Sequence, residues 1–144
     1  MGVRREGREA AVQFLYQRDL NPDATALNLP EFYILRGLSP SARRFSDLLI
    51  RGALHHRRHI DDIIQLHTQN YELMRISSVD RNILRIAVYE MLKLQEIPSV
   101  VSINEAIEIA KKYSTEESGR FVNGVLDRVR RILKERVVVS LNAS

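Results

Sequence analysis

This 144-residue chain contains no cysteine, which excludes disulfide frameworks, thiolate metal sites and thiol nucleophiles and fits a reducing compartment. No apolar run approaches the roughly 20 residues of a membrane span. The opening MGVRREGREA carries charges where a secretory signal would have its apolar region. A cytoplasmic protein is expected. Glycine and proline are few, six and four residues, so little interrupts regular structure. There is no G-x-S-x-G elbow, no phosphate-cradling glycine loop, no H-E-x-x-H pair and no paired carboxylates in a catalytic context. These absences predict a non-enzymatic protein without a cofactor. Lysine is scarce as well: 18 of the 22 basic residues are arginine. Guanidinium groups fork onto phosphates and stack on bases better than ammonium groups do, although a lineage preference for arginine codons gives the same count. The net charge of +4 decides little alone.

What is present is helical periodicity. A first helix is expected from about Arg4 to Asp19, stopping before Asn21-Pro22, and a short one after Pro30, a residue suited to a first helical position. Ser39-Pro40 has the form of an N-cap followed by that position. Phe45, Leu48, Leu49, Leu54, Ile60, Ile63 and Ile64 then carry an apolar face to about Gln69, with Gly52 a candidate division. Thr68 to Ser78 reads as a connection. Ser77 or Ser78 caps a helix running to about Gln95, apolar almost all round, as in the centre of a bundle. With no period-2 strand pattern, the expectation is an all-α fold of about seven helices in two packed sub-bundles. It would form one domain over 1–144, with an N-terminal sub-bundle at about 1–70, a C-terminal one at about 71–136 and a tail at 137–144.

The stretch Ser102 to Asp127 is the richest. Ser102 with Glu105, and Ser114 with Glu117, fit the S-x-x-E capping box and predict two helices joined by a very short turn. Ile103, Ala106, Ile107 and Ala110 stripe the first. Val122, Val125, Leu126, Val129 and Leu133 stripe the second, with Phe121 at the stripe's edge beside Arg120. A ring there either stacks on an unpaired base, worth ~1–3 kcal/mol, or packs against the preceding helix. Asn123-Gly124 lies within the stripe and so is helical. Gly124 suits close helix–helix approach, and Asn123 can bond a base, a backbone group or water.

Arg4, Arg5 and Arg8 are neighbours on one side of the first helix. They sit where the macrodipole disfavours cations by ~0.3–1 kcal/mol each, partly offset by Glu6 and Glu9. An anionic partner would reverse that sign, and a solvated charged helix end accounts for the same residues. Tyr16 lies near that side as a further contact or a half-buried core residue. His55, His56, His59 and His67 with Asp61 and Asp62 have some ligand spacing, but Arg57 and Arg58 among them favour a solvated polar face and no metal. Arg128, Arg130, Arg131, Lys134 and Arg136 complement a helix C-terminus.

These segments also carry a likeness. RREGREAAVQFLYQ at Arg4 to Gln17, VDRNILRIAVYEM at Val79 to Met91, INEAIEIAKKYS and FVNGVLD resemble, in order, the first, central and C-terminal helices of the NusB transcription antitermination family. About Asn21 to Tyr71 is similar only in helical character and length. The resemblance implies an RNA-binding factor that takes single-stranded boxA-type RNA of ribosomal RNA leaders. It would do so with NusE, a small-subunit ribosomal protein, within an antitermination complex on RNA polymerase. It implies RNA contacts at Arg4, Arg5, Arg8 and Phe121, to which helical position adds Arg120, Tyr16 and, at the start of the last helix, Glu117 or Ser118; it also implies a partner surface near Asp80, with Arg81 a weaker candidate. Rival expectations are a homodimeric helical scaffold without RNA affinity, and a stand-alone relative of the RNA-binding domain of a ribosomal RNA methyltransferase.

Overall fold

A computed structural model describes residues 2–21, 28–68 and 72–143, with side chains up to Lys134. Seven α-helices and a one-turn 3-10 helix (Leu73–Arg75) follow in order: α1 (Val3–Leu20), α2 (Leu29–Arg36), α3 (Pro40–His55), α4 (Arg57–Leu66), α5 (Ser78–Lys93), α6 (Ser99–Tyr113) and α7 (Glu116–Ala143). No strand occurs among the described residues. Pro22, expected just beyond α1, lies outside them, as do the side chains of Arg136 and of the 137–144 segment.

Local rules explain most boundaries. Ser39 caps α3 by accepting from the Ala42 amide, with Pro40 at the first helical position. Ser77 does the same for α5 through the Asp80 amide. Gly37 ends α2 in the left-handed conformation that its missing Cβ permits, φ 73°. The core is one continuous cluster around α5, whose residues 80–91 are buried on every side. On α7, Val122, Val125, Leu126 and Val129 are sealed from solvent against α5 and α6.

Several boundaries differ from expectation. Gly52 does not divide α3; the break falls at His56. Gly52 faces the Tyr89 ring of α5, and a Cβ there would overlap it. Gly124, by contrast, meets only the Arg128 guanidinium at 3.7 Å, so it marks no close helix approach. Ser102 is not a cap: α6 begins at Ser99, and the Ser102 hydroxyl donates to Glu90 in the interior, 2.9 Å. The cap of α7 is Thr115 rather than Ser114, since the Ser118 amide donates to Thr115 Oγ1 at 3.0 Å. The central helix ends at Lys93. The last helix runs past Arg136 to Ala143 because no proline or glycine follows Gly124 to stop it.

Two polar seams tie α1 into the bundle. At its C-terminal end Asp19 accepts from Arg81 Nη2 (3.0 Å), Arg85 Nη1 (2.9 Å) and Asn82 Nδ2 (3.0 Å). Arg85 also donates to both oxygens of Asp61 on α4, at 2.8 and 3.0 Å. Burial pushes the Asp19 carboxyl upward, but Asn82 and the two guanidiniums outweigh it and hold it below the ordinary value. The second seam lies at the N-terminal end, where the candidate residues begin.

Candidate nucleic-acid interface

The three arginines of the first turns part company. Arg8 is buried, 3% exposed, with Nε and Nη2 on the two oxygens of Glu90 at 2.9 and 2.7 Å. Ser102 Oγ donates to the same carboxylate, and Arg8 Nη1 reaches Glu105 Oε1 at 3.4 Å. This fork-on-fork pair is fully enclosed, so Arg8 offers no free guanidinium to a ligand. It fixes α1 to α5 and α6. Arg5 pairs with Glu105, Nε to Oε2 3.1 Å, and keeps a 37% exposed side chain. Arg4 is exposed, its guanidinium 5.4 Å from the centre of the Phe45 ring of α3.

Past Arg5 the groove between α1 and α6 continues with Lys112 donating to Glu9, 2.8 Å. It then opens into a cavity of about 340 Å³ lined by Glu9, Val12, Gln13, Tyr16, Val79 and Tyr113. Tyr16 is therefore half-buried at a cavity wall, with Tyr113 on the opposite helix. Lys112 lies 5.2 Å from the Tyr113 ring centre. This Lys112-Tyr113 pair was not singled out from the sequence. It repeats the basic-plus-aromatic signal of Arg120-Phe121, and that signal was the means to find it.

The α6–α7 turn is tied to the start of α5. Ser118 Oγ donates to Asp80 Oδ2 at 3.0 Å and contacts Ser114 Oγ at 2.7 Å. Asp80 is 7% exposed; burial raises its carboxyl above the ordinary value, against the hydrogen bonds from Ser118 and Ser77. Its Oδ1 is enclosed without a hydrogen-bond partner. Arg81 is 5% exposed and bound to Asp19 and to the Ile76 carbonyl, 3.0 Å. Neither therefore presents an exposed charge at a rim. Glu117 and Arg120 are exposed, and Phe121 is half-buried against the core, at the margin its helical position indicated.

Of the candidates, Tyr16 lines the cavity, Arg5 pairs with Glu105 of α6 on the same side of α1, Asp80 and Ser118 bond each other, and Arg4 lies on the α3 side of α1. Phe121 lies one turn beyond Ser118. Several of the remaining polar candidates have structural ties. Arg128 donates to the His67 carbonyl at 2.8 Å. Asp61 serves Arg85, and the His56 ring lies 6.2 Å from that of Tyr89. Among the described residues no three acidic or histidine side chains are grouped to hold an ion, and no helix is long and apolar enough to cross a membrane.

Residues 5–131 match the NusB family profile. The transcription antitermination protein NusB of Geobacter sulfurreducens is 45% identical over 139 residues, 94% of this chain and 99% of that protein. The structure of T. maritima NusB superposes with a TM-score of 0.80 at 40% identity, covering 89% of this chain and 90% of that one. A crystal structure of antitermination factors NusB and NusE in complex with double-stranded RNA contains a chain that superposes at 0.82 and 28% identity. That alignment covers 92% of this chain and 98% of the other.

Proposed function

The chain belongs to the NusB family, and from that premise we propose that it is an RNA-binding transcription antitermination factor. It takes boxA-type RNA of ribosomal RNA leaders together with NusE, within the antitermination complex on RNA polymerase. It works in the cytoplasm, without catalysis or cofactor. The observation that carries this reading is the cationic end of α1, with Arg4 exposed on its α3 side and Arg5 half-exposed on its α6 side, followed along α1 by a cavity walled by Tyr16 and Tyr113.

Arg4 and Arg5 hold phosphates, and Arg120 adds a third cation. Arg8 acts from beneath by keeping α1 seated on Glu90. Tyr16 and Phe121 supply faces for unpaired bases. Glu117 and Ser118 meet base edges. Asp80 and Arg81 shape the partner surface from inside, through Ser118 and the start of α5. The helices of residues 1–70 and 71–136 serve as one RNA-binding domain.

The test is fluorescence anisotropy of labelled boxA-like RNA, a scrambled RNA and a duplex of equal length, at two salt concentrations, with and without NusE. Selective binding to the boxA-like strand that tightens with NusE is expected. Equal binding to the scrambled strand would reduce the site to a generic basic surface, and no binding even with NusE would end the reading. Self-association is a second reading, favoured by the adjacent exposed Ile34 and Leu35 of α2. It predicts RNA binding that weakens as protein concentration rises.

A further inference from the structure

The outer face of α3 is cationic for a reason that the α1–α6 groove does not supply. Ser41, Arg44, Leu48, Arg51 and His55 recur at helical spacing and are all exposed. Arg44 and Arg51 stand two turns apart on the same face, about 10 Å along the axis. The only carboxylate on this helix is Asp47, held by Arg51 at 2.7 Å. Beside the stripe an open cleft of about 350 Å³ lies between α2 and α3, with Arg43, Arg44 and Arg51 on its wall. At the base of that cleft the Arg43 guanidinium sits 5.1 Å from the centre of the buried Tyr33 ring. At the other end Arg44 adjoins Phe45, the residue against which Arg4 lies.

We propose that this α3 face is a second RNA-contacting surface. It would hold the backbone of nucleotides flanking the recognised element by phosphate contacts from Arg44 and Arg51. The inference rests on the RNA-binding reading above. Three observations support a nucleic-acid backbone here, and an acidic protein is an outcome of the test. The cations are guanidiniums, whose forks match phosphates. Arg44 is one residue along α3 from Phe45, against which Arg4 lies, so the α1 and α3 cations border the same end of the molecule. The cleft is concave beside that line, with Leu29, Pro30 and Tyr33 as apolar walls. Contacts of this kind carry no sequence information and act through counterion release.

The experiment compares two single-stranded RNAs, one carrying only the boxA-like element and one extended by oligouridine on both sides. They are titrated across salt concentrations against wild type, Arg44→Gln/Arg51→Gln and, as a charge-matched control on the exposed side of α7, Arg130→Gln/Arg131→Gln. Wild type is expected to bind the extended RNA more tightly than the short one. The α3 variant is expected to bind the short RNA as wild type does, to lose the extended RNA's advantage several-fold, and to flatten its salt slope by about 1.4, at ~0.7 per phosphate. The α7 variant is expected to change neither RNA. An extended RNA that binds wild type no better than the short one overturns the proposal. So does an equal loss in the α7 variant, or an α3 variant whose salt slope is unchanged while its affinity for NusE falls. If wild type ignores the short element altogether, the boxA reading fails. The α3 face is then judged on the extended RNA alone, whose binding must still drop in the α3 variant or the proposal falls too.

Discussion

Each end of α1 holds side chains of the wrong sign for the macrodipole, Arg4 and Arg5 beside Glu6 at the N-terminal end and Asp19 beside Arg18 at the C-terminal end. Both ends are relieved by other helices, in different ways. At the C-terminal end Asp19 is enclosed among Arg81, Arg85 and Asn82, and Asp61 completes the set. At the N-terminal end only Arg8 is enclosed; Arg5 is half-satisfied and Arg4 faces solvent. A closed polar seam holds a fold together, and an open one leaves charge for something else. The position of a cation along α1, not its identity, decides which it does.

The closed seam is the place to break the comparison hardest. Asp19→Ala leaves the buried Arg81 without a carboxylate and Arg85 with Asp61 alone, and is expected to cost about 3–5 kcal/mol in urea unfolding, with Glu90→Ala in the same range because Arg8 loses its buried partner. Replacing Arg8 and Glu90 together by methionine and leucine should recover most of the second loss; a double variant as weak as the single one would show that the pair does more than avoid an orphan. The pH dependence sharpens the point. The folded Asp19 carboxyl lies below its ordinary value, so its stabilisation is present above the unfolded value, ~3.9, and is lost as pH falls through the folded one. Asp80, raised by burial, runs the other way: its contribution is present below ~3.9 and is lost as pH rises through its folded value. Asp19→Asn should therefore flatten the acid limb of a stability profile, which calorimetry across pH would reveal.

Gly52→Ala comes next. It forces a methyl into the Tyr89 ring and is expected to lower stability by about 1–3 kcal/mol, whereas Gly124→Ala meets only a movable guanidinium tip and should not destabilise by comparison. Thr115→Ala removes the cap of α7 at a cost of about 1 kcal/mol, against a smaller loss for Ser114→Ala; the thermal midpoints should rank in that order. The open seam gives the smallest effect on folding. Arg4→Ala/Arg5→Ala should change stability by less than ~1 kcal/mol while flattening the salt slope of RNA binding by about 1.4.

The sequence carried the helices well because their information is periodic and local. The all-round apolar face of α5 and the stripe of α7 survive folding unchanged. It carried side-chain destinations poorly, for a reason visible at Ser102 and Glu105. As a tetrad they fit a capping box, yet the serine hydroxyl goes to Glu90 and the carboxylate to Arg5 and Arg8. Those partners lie elsewhere in the chain, and nothing within a helical turn foretells them. Arg8 was misread for the same reason. The run Arg4, Arg5, Arg8 looks uniform in sequence, and only the tertiary position of Glu90 separates its last member from the first two. The Lys112-Tyr113 pair was legible, since it shows the same basic-plus-aromatic pattern that drew attention to Arg120-Phe121.

The seating of Arg8 on Glu90 spans 82 positions of the chain. During synthesis α1 appears well before α5, and it carries charges that discourage it from forming alone. At ~5–20 residues per second, its carboxylate partner follows about 4–16 seconds later. For that interval the arginine-rich α1 stands without the helix that will hold it, beside the phosphate backbone of ribosomal RNA. The docking of α1 is therefore timed by the arrival of α5.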